Sequence, residues 1–173
     1  MAEALLRDRL SARGIEARVH SAGEMPGGVA ASAGSVRAMA ARGLDLGAHR
    51  SRQGTVEMLE SADLVLAMAR RHLRGAVAMA PSAFPRAFTI KELVRRAERH
   101  GPRRPGEPLG EWLDALHRGR TTSQLLVEDR ADDVADPIGQ PDAAYEATAR
   151  ELEQLIERLI DLCVPANETR ELA

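Results

Sequence analysis

The order of the elements that the sequence predicts indicates an α/β protein, a three-layer structure with a parallel sheet and helices on both of its faces. Two observations predict this class. Segments with apolar side chains at helical spacing alternate along the chain with short apolar or alternating runs that are typical of strands. Glycine or proline stands at the ends of several of these segments, where a turn must begin.

The first part of the chain predicts a helix, a strand and a second helix. Apolar side chains before Gly14 recur at helical spacing, and this glycine ends the helix. Apolar and polar side chains alternate over residues 15–21, which predicts a short strand. After a glycine-rich loop, a helix is predicted over residues 32–42, and it stops at Gly43.

The rest of the chain continues the alternation of strands and helices. The compact apolar run at residues 62–68 suits a strand that is buried on both faces. The elements predicted after it are a helix over residues 70–79, a brief strand at 88–90, and helices over 91–99, 109–118 and 142–162. We therefore expect one domain over residues 1–165, with an insertion around residues 100–119 and a C-terminal tail at 166–173.

Composition excludes several classes of protein. Lysine and arginine number 24 and aspartate and glutamate 26, and the net charge of −2 favours neither a nucleic acid nor a membrane surface as partner. The single cysteine rules out an intrachain disulfide and a cysteine zinc site, and the five histidines lack zinc-ligand spacing, so no metal or cofactor is expected. With no signal peptide and no stretch of roughly 20 apolar residues, a cytoplasmic setting is predicted.

Two residues stand out as candidates for chemistry. Asp136 precedes Pro137, which restricts the aspartate to an extended conformation, although this dipeptide is also a common turn. Asp132 and Asp133 lie close by in the chain, but neither precedes a proline, so neither is as well fixed. Cys163 lies on the apolar stripe of the last predicted helix and is interpreted as structural, since burial in apolar surroundings makes a thiol inert.

Four motifs, in this order along the chain, resemble the low-molecular-weight protein tyrosine phosphatase family. They are Met1-Ala2-Glu3-Ala4-Leu5-Leu6, Val19-His20-Ser21-Ala22-Gly23, His49-Arg50-Ser51-Arg52-Gln53, and Asp136-Pro137 before the final helix. In that family the first motif follows a central strand and a phosphate-binding loop of the form Cys-x5-Arg. The 173 residues contain no such loop, and Thr169 occupies the sixth position after the only cysteine.

The resemblance implies hydrolysis of a phosphate monoester through a cysteinyl-phosphate, on a phosphorylated protein or a small phosphate ester. It assigns Asp136 as general acid, with Asp132 and Asp133 as rivals for that role. It assigns Ser21 and His49 as residues that support the phosphate loop, and it leaves the chain without a nucleophile. Family members often carry aromatic residues after the Asp-Pro pair, whereas Ile138 follows here, so the substrate is not narrowed to phosphotyrosine.

Three interpretations follow from the missing loop. The favoured one is a phosphatase whose start lies too far downstream, so that the first central strand and the nucleophile are missing and the chain as given is inactive. The alternative is a catalytically inactive, phosphatase-like binding or regulatory module. Arsenate reduction on the same fold ranks last, because it needs further reactive cysteines. The oligomeric state is not predicted.

Overall fold

The computed structural model describes residues 1–127 and 130–165, and the predicted tail at 166–173 lies outside them. The elements, in chain order, are α1 (Ala2–Ala12), α2 (Ala33–Ala40), α3 (Val56–Glu60), β1 (Val65–Ala67), α4 (Arg70–Met79), a 3₁₀ helix (Pro81–Arg86), β2 (Ala87–Thr89), α5 (Ile90–His100), α6 (Leu109–His117), a second 3₁₀ helix (Thr122–Leu126) and α7 (Asp142–Cys163). The prediction of an α/β fold with parallel strands is confirmed. Both 3₁₀ helices and the short α3 were not predicted.

The sheet in the described residues consists of two parallel strands. β1 pairs with β2 in the register Val65↔Ala87, Leu66↔Phe88 and Ala67↔Thr89. The connection between them runs through α4 and the first 3₁₀ helix, as parallel pairing requires a crossover. Both strands are short, and every residue of β2 is buried.

The strand predicted over residues 15–21 is wrong. Residues 15–20 form no ladder, and the bridges nearest in sequence are isolated ones, Gly23↔Gln53 and Ala30↔Arg50. A strand needs the backbone of a neighbour, but here backbone groups of this segment bond with side chains of α1. The Val19 carbonyl accepts from Arg7 at 2.9 Å, and Ser21 N–H donates to the Glu3 carboxylate at 3.2 Å. The missing central strand stays a prediction.

The chain separates into two compact units, and the single domain with an insertion stays a prediction. Unit 1 comprises Met1–Gln53 and Val134–Glu157, and unit 2 comprises the described residues of 54–133 and 158–165. In unit 1, residues just after α1 and α2 form ion pairs with acidic side chains of α7. Arg42 donates to both carboxylate oxygens of Glu146 at 2.8 Å, and Arg13 contacts Glu157 at 2.6 Å.

A glycine allows α2 to pack closely on α7 in unit 1. A Cβ placed on Gly34 would lie 2.5 Å from ring atoms of Tyr145, which is closer than any real contact. The ring of Tyr145 is buried, and it lies in the same unit as the buried core side chains Leu5, Ala38, Met39, Leu46, Ala149, Leu152 and Ile156.

A buried arginine organises unit 2. The Arg120 guanidinium lies over the ring of Phe88 at 3.9 Å and that of Phe84 at 4.6 Å. It also donates to the Ala87 carbonyl at 2.7 Å and makes two hydrogen bonds with the Glu92 carboxylate, at 3.0 and 3.2 Å. Burial lowers the pKa of Arg120, and the charge and hydrogen bonds of Glu92 oppose this effect.

The contact with Arg120 defines the protonation state of His117. The Nδ1 atom of His117 lies 3.2 Å from an Arg120 nitrogen, and the imidazole meets the Phe84 ring edge-on at 4.7 Å. A guanidinium has only N–H donors, so Nδ1 must accept and the imidazole is neutral, with its proton on Nε2. Burial lowers the pKa of His117, and the charge of Arg120 lowers it further.

Two glycine-to-alanine substitutions in helices should have opposite effects on stability. Gly34→Ala should destabilise the protein by about 1–3 kcal/mol, because the new methyl group overlaps the Tyr145 ring. Gly110→Ala in α6 meets open space and should stabilise it by about 0.5–1 kcal/mol through helix propensity alone. Urea unfolding measures both, and equal effects would contradict the close packing of α2 on Tyr145.

The His117 environment predicts a loss of stability in mild acid. The folded pKa lies below the unfolded value of about 6.5, so the unfolded state binds more protons between the two values. Stability should therefore fall as the pH decreases from about 7 through this window. His117→Gln, whose carbonyl can still accept from Arg120, should show a shallower decrease in urea midpoint between pH 7 and 5. An unchanged slope would contradict the neutral imidazole.

Candidate functional site

The Glu3 carboxylate in the first turn of α1 joins the two supporting residues that the sequence predicts. Ser21 donates to Glu3 Oε2 twice, from Oγ at 2.5 Å and from its backbone N–H at 3.2 Å. His49 Nδ1 lies 3.9 Å from the same oxygen. Arg7, one turn later in α1, forms an ion pair with the other carboxylate oxygen. The structure thus brings Ser21 and His49 together around Glu3, which the sequence interpretation did not single out.

The charges around Glu3 keep its carboxylate ionised. Partial burial would raise the pKa, but the hydrogen bonds from Ser21 and Arg7, with the charges of Arg7 and His49, outweigh it, and the pKa is lowered. A carboxylate in the first turn also interacts favourably with the helix dipole. An acidic residue in the first turn of a helix was the sequence signal that could have identified Glu3.

The loop before His49 is held by short-range contacts. Gly47 N–H donates to the Asp45 carboxylate at 2.7 Å, an Asx turn, and His49 N–H donates to the Leu46 carbonyl at 3.0 Å. The Leu46 side chain is buried and anchors this turn to unit 1. These contacts place the His49 imidazole, which is half-buried, toward the beginning of α1.

Asp136 lies in an exposed turn just before α7. Its Oδ1 accepts from the Ile138 N–H at 3.1 Å across the buried Pro137, and the preceding carbonyl of Ala135 accepts from Thr148 Oγ1 on α7 at 3.2 Å. The backbone on both sides of Asp136 is therefore held, while the carboxylate faces solvent. In the described residues, no hydrogen bond or ion pair joins Asp136 to Glu3 or its partners.

Asp132 is engaged in a buried ion-pair cluster of unit 2. Its side chain is 2% exposed, contacts Arg70 at 3.2 Å, and receives two hydrogen bonds from Arg95, one of them 3.0 Å long. Burial would raise the pKa of this carboxyl, but the hydrogen bond and charge of Arg95, with the charges of Arg70 and Lys91, lower it overall. A carboxyl that is buried, ionised and paired in this way is a poor proton donor to a substrate.

Asp133 stabilises the start of α4. Its Oδ1 accepts from the Arg70 N–H at 2.7 Å, where the preceding residue Ala69 offers no side-chain cap. The Asp133 carbonyl accepts from Lys91 Nζ at 2.7 Å. Both rivals of Asp136 therefore have structural partners that the sequence did not reveal.

Cys163 lies in the last turn of α7 and is half-buried. Its carbonyl accepts from Arg103 Nε at 2.6 Å, and the Leu162 carbonyl accepts from the Arg103 N–H at 2.8 Å. Arg103 thus satisfies two carbonyls at the end of the helix, where positive charge is favourable. The contacts of this residue are those of a helix terminus.

Substitutions of Asp132 and Asp136 should differ in their effect on the free energy of unfolding. Asp132→Asn should cost about 2–3 kcal/mol of unfolding free energy, below the 3–5 kcal/mol range of fully buried pairs because Arg95 is half-exposed. Asp136→Asn should change stability by less than about 0.5 kcal/mol, since the amide oxygen can still accept from Ile138. Chemical denaturation of both variants measures this, and a larger loss for Asp136→Asn would contradict its assignment as an exposed, free carboxylate.

Comparison with known proteins agrees with the resemblance. The sequence model of the family described as "Low molecular weight phosphotyrosine protein phosphatase" matches residues 1–103. No curated protein matches the chain significantly. No helix in the described part of the chain has the length and apolar character needed to cross a membrane.

Solved structures of similar fold cover most of the chain. A low molecular weight protein tyrosine phosphatase from T. tengcongensis is 33% identical, with a TM-score of 0.68 over 92% of this chain and 87% of that one. The YwlE arginine phosphatase from Geobacillus stearothermophilus is 30% identical, with a TM-score of 0.63 over 91% and 79%. A YwlE mutant from Bacillus subtilis is 28% identical, with a TM-score of 0.66 over 91% and 84%.

The family match extends over more than half of the chain, and a phosphatase structure with one third identical residues covers nearly all of it. The chain therefore belongs to the low molecular weight phosphotyrosine protein phosphatase family.

Proposed function

We propose that this chain carries the scaffold and the general acid of a phosphatase that hydrolyses phosphate monoesters through a cysteinyl-phosphate, with Asp136 as the acid. The observation that carries the proposal is the Asp136 turn, an exposed carboxylate on a backbone held from both sides. A general acid must reach the leaving oxygen and exchange protons, which requires a positioned group free of strong ion pairs.

The rivals of Asp136 are less suited to this role. Asp132 is buried between two arginines, and Asp133 accepts from the first N–H of α4. Proton transfer from either would first require breaking these contacts. Asp136 in contrast makes one local hydrogen bond to the backbone, which leaves its second oxygen available.

Glu3, Ser21 and His49 are proposed to support a phosphate-binding loop that precedes α1. The Glu3 carboxylate holds the Ser21 and His49 side chains together at the first turn of this helix. A helix N-terminus offers free N–H groups and positive dipole charge to a phosphate, so a loop that enters α1 would place the phosphoryl group there.

The proposed reaction requires a cysteine thiolate on a Cys-x5-Arg loop, and the 173 residues contain no such loop. Cys163 is not suited to the role, because residue 169 is a threonine and the turn around Cys163 is engaged with Arg103. The reaction is therefore proposed for the chain joined to such a loop. A catalytically inactive binding module remains the alternative outcome of the experiment below.

The proposed substrates are phosphorylated proteins or small phosphate esters, in the cytoplasm. The relatives include a tyrosine phosphatase and an arginine phosphatase. Phosphotyrosine peptides are therefore candidate monoester substrates, and phosphoarginine peptides, whose phosphoryl group is bound to nitrogen, are candidates of a second class. Ile138 follows the Asp-Pro pair and is 68% exposed. An aliphatic side chain at this place offers no ring for stacking, so preference for an aryl phosphate should be modest.

Grafting tests the proposal. A strand and a Cys-x5-Arg loop of the family pattern are joined in frame before Met1. The graft should hydrolyse aryl and alkyl phosphates, and Asp136→Asn should reduce turnover by about 10²–10⁴-fold. The loss should be larger for alkyl phosphates, because a poor leaving group depends most on protonation.

Three controls test whether the turnover comes from the grafted cysteine and from Asp136. The chain without the graft should be no faster than an unrelated protein, and the grafted cysteine→Ser variant should be equally inactive. Asp133→Asn in the graft serves as the matched control with little loss expected beyond its effect on stability. If Asp133→Asn abolished turnover and Asp136→Asn did not, the acid would be misassigned. A folded graft without activity would support the binding module instead.

A further inference from the structure

A cationic groove lies between the last turns of α5 and α6 in unit 2. It is lined by Arg96, Arg99, His100, Ala115 and Leu116, has a volume of about 390 Å³, and is open to solvent. We call it the α5–α6 groove. Its lining contains two guanidinium groups and an imidazole, and no carboxylate belongs to it.

The positive charge of the groove exceeds what nearby acids neutralise. Arg96 donates to Glu92 at 2.9 Å and to the Leu116 carbonyl at 3.1 Å, which holds its guanidinium at the groove wall. Glu92 is shared with Arg120, at 3.0 Å, so one carboxylate serves two arginines. Arg99 donates only from Nε, to the Arg95 carbonyl at 3.3 Å, and forms no ion pair within the described ranges 1–127 and 130–165.

The cavity next to the α5–α6 groove has a different charge, so the positive charge is limited to the groove. It shares His100 and Ala115 with the groove and has a similar volume, about 350 Å³. Its lining nevertheless contains three carboxylates, from Glu107, Glu111 and Asp114, beside Arg104 and Arg118. Two adjoining cavities of similar size therefore differ in the charge that they offer a ligand.

We propose that the α5–α6 groove binds a phosphoryl group. Arginine forks match the oxygens of a phosphoryl group, whose charge of about −1.5 to −2 and three acceptor oxygens suit two neighbouring guanidinium groups better than a single carboxylate does. The free N–H groups of Arg99 donate to the oxygens, and Arg96 is already oriented at the wall. The source of the group is inorganic phosphate or a phosphorylated side chain.

Helix-dipole complementarity alone also favours cations in the last turn of α5. That explanation predicts weak, non-saturable attraction of any anion. It also predicts that Arg99→Gln and Arg118→Gln weaken this attraction equally, since each removes one cation from the end of a helix. Phosphoryl binding predicts saturation and dependence on Arg99.

The experiment titrates the isotope-labelled 173-residue chain with inorganic phosphate at constant ionic strength, following arginine Nε–H and amide resonances. The expected result is saturable shifts around Arg99 and Ala115, with a dissociation constant on the order of millimolar. Arg99→Gln should weaken binding by about tenfold or more. Arg118→Gln is the matched control, because it removes the same charge from the neighbouring cavity, and it should change affinity by less than about twofold.

Two peptides distinguish the source and the specificity. A phosphoserine peptide that binds more tightly than inorganic phosphate identifies a protein-borne group, and the reverse order identifies free phosphate. The same peptide with Glu in place of phosphoserine should bind at least about tenfold more weakly. Non-saturable shifts, equal losses in the two arginine variants, or equal affinity for the Glu peptide would overturn the proposal. Asp136→Asn should not affect any of these values, which separates this site from the proposed reaction.

Discussion

Burial of the Arg120 charge is the constraint on which unit 2 depends. Arginine stays protonated in a protein, so a buried guanidinium needs acceptors for its N–H groups and aromatic rings against its planar faces. It obtains them from the 3₁₀ helix before β2, from β2, from α5 and from the last turn of α6. Each of these elements is thereby held in one place, and Glu92 is held with them. The orientation of Arg96 at the groove wall follows, since it uses the same Glu92 carboxylate.

The helices were predicted more reliably than the strands, and the reason is physical. A helix satisfies its own backbone, so the apolar period of α5 or α7 is sufficient to indicate it. A strand depends on a neighbour that the local sequence does not contain. Residues 65–67 have such a neighbour in β2, whereas residues 15–20 alternate apolar and polar side chains but have no ladder partner in the described chain. Side chains of α1 take up backbone groups there instead.

The candidate site could be predicted in part. Proline at 137 predicted a restricted backbone at Asp136, and this residue lies in an exposed turn in which its Oδ1 accepts from the Ile138 N–H. Its role as general acid stays a prediction. Asp132 forms ion pairs with Arg70 and Arg95, which lie 62 and 37 residues away along the chain. No local sequence pattern could have shown these contacts. The sequence analysis did not identify Glu3 for a related reason. Its contacts with Ser21 and His49 exist only in the folded chain.

The scarcity of aromatic residues has a consequence for observing this protein. The chain contains one tryptophan and one tyrosine, and both are buried. Trp112 belongs to unit 2, where its indole N–H donates to the Gly101 carbonyl at 3.2 Å, and Tyr145 belongs to unit 1. Each unit therefore contains a single natural chromophore with its own absorption band. Indole emission and phenol absorbance, followed in the same denaturation, report the two units separately, and coincident transitions would show that they unfold as one cooperative body.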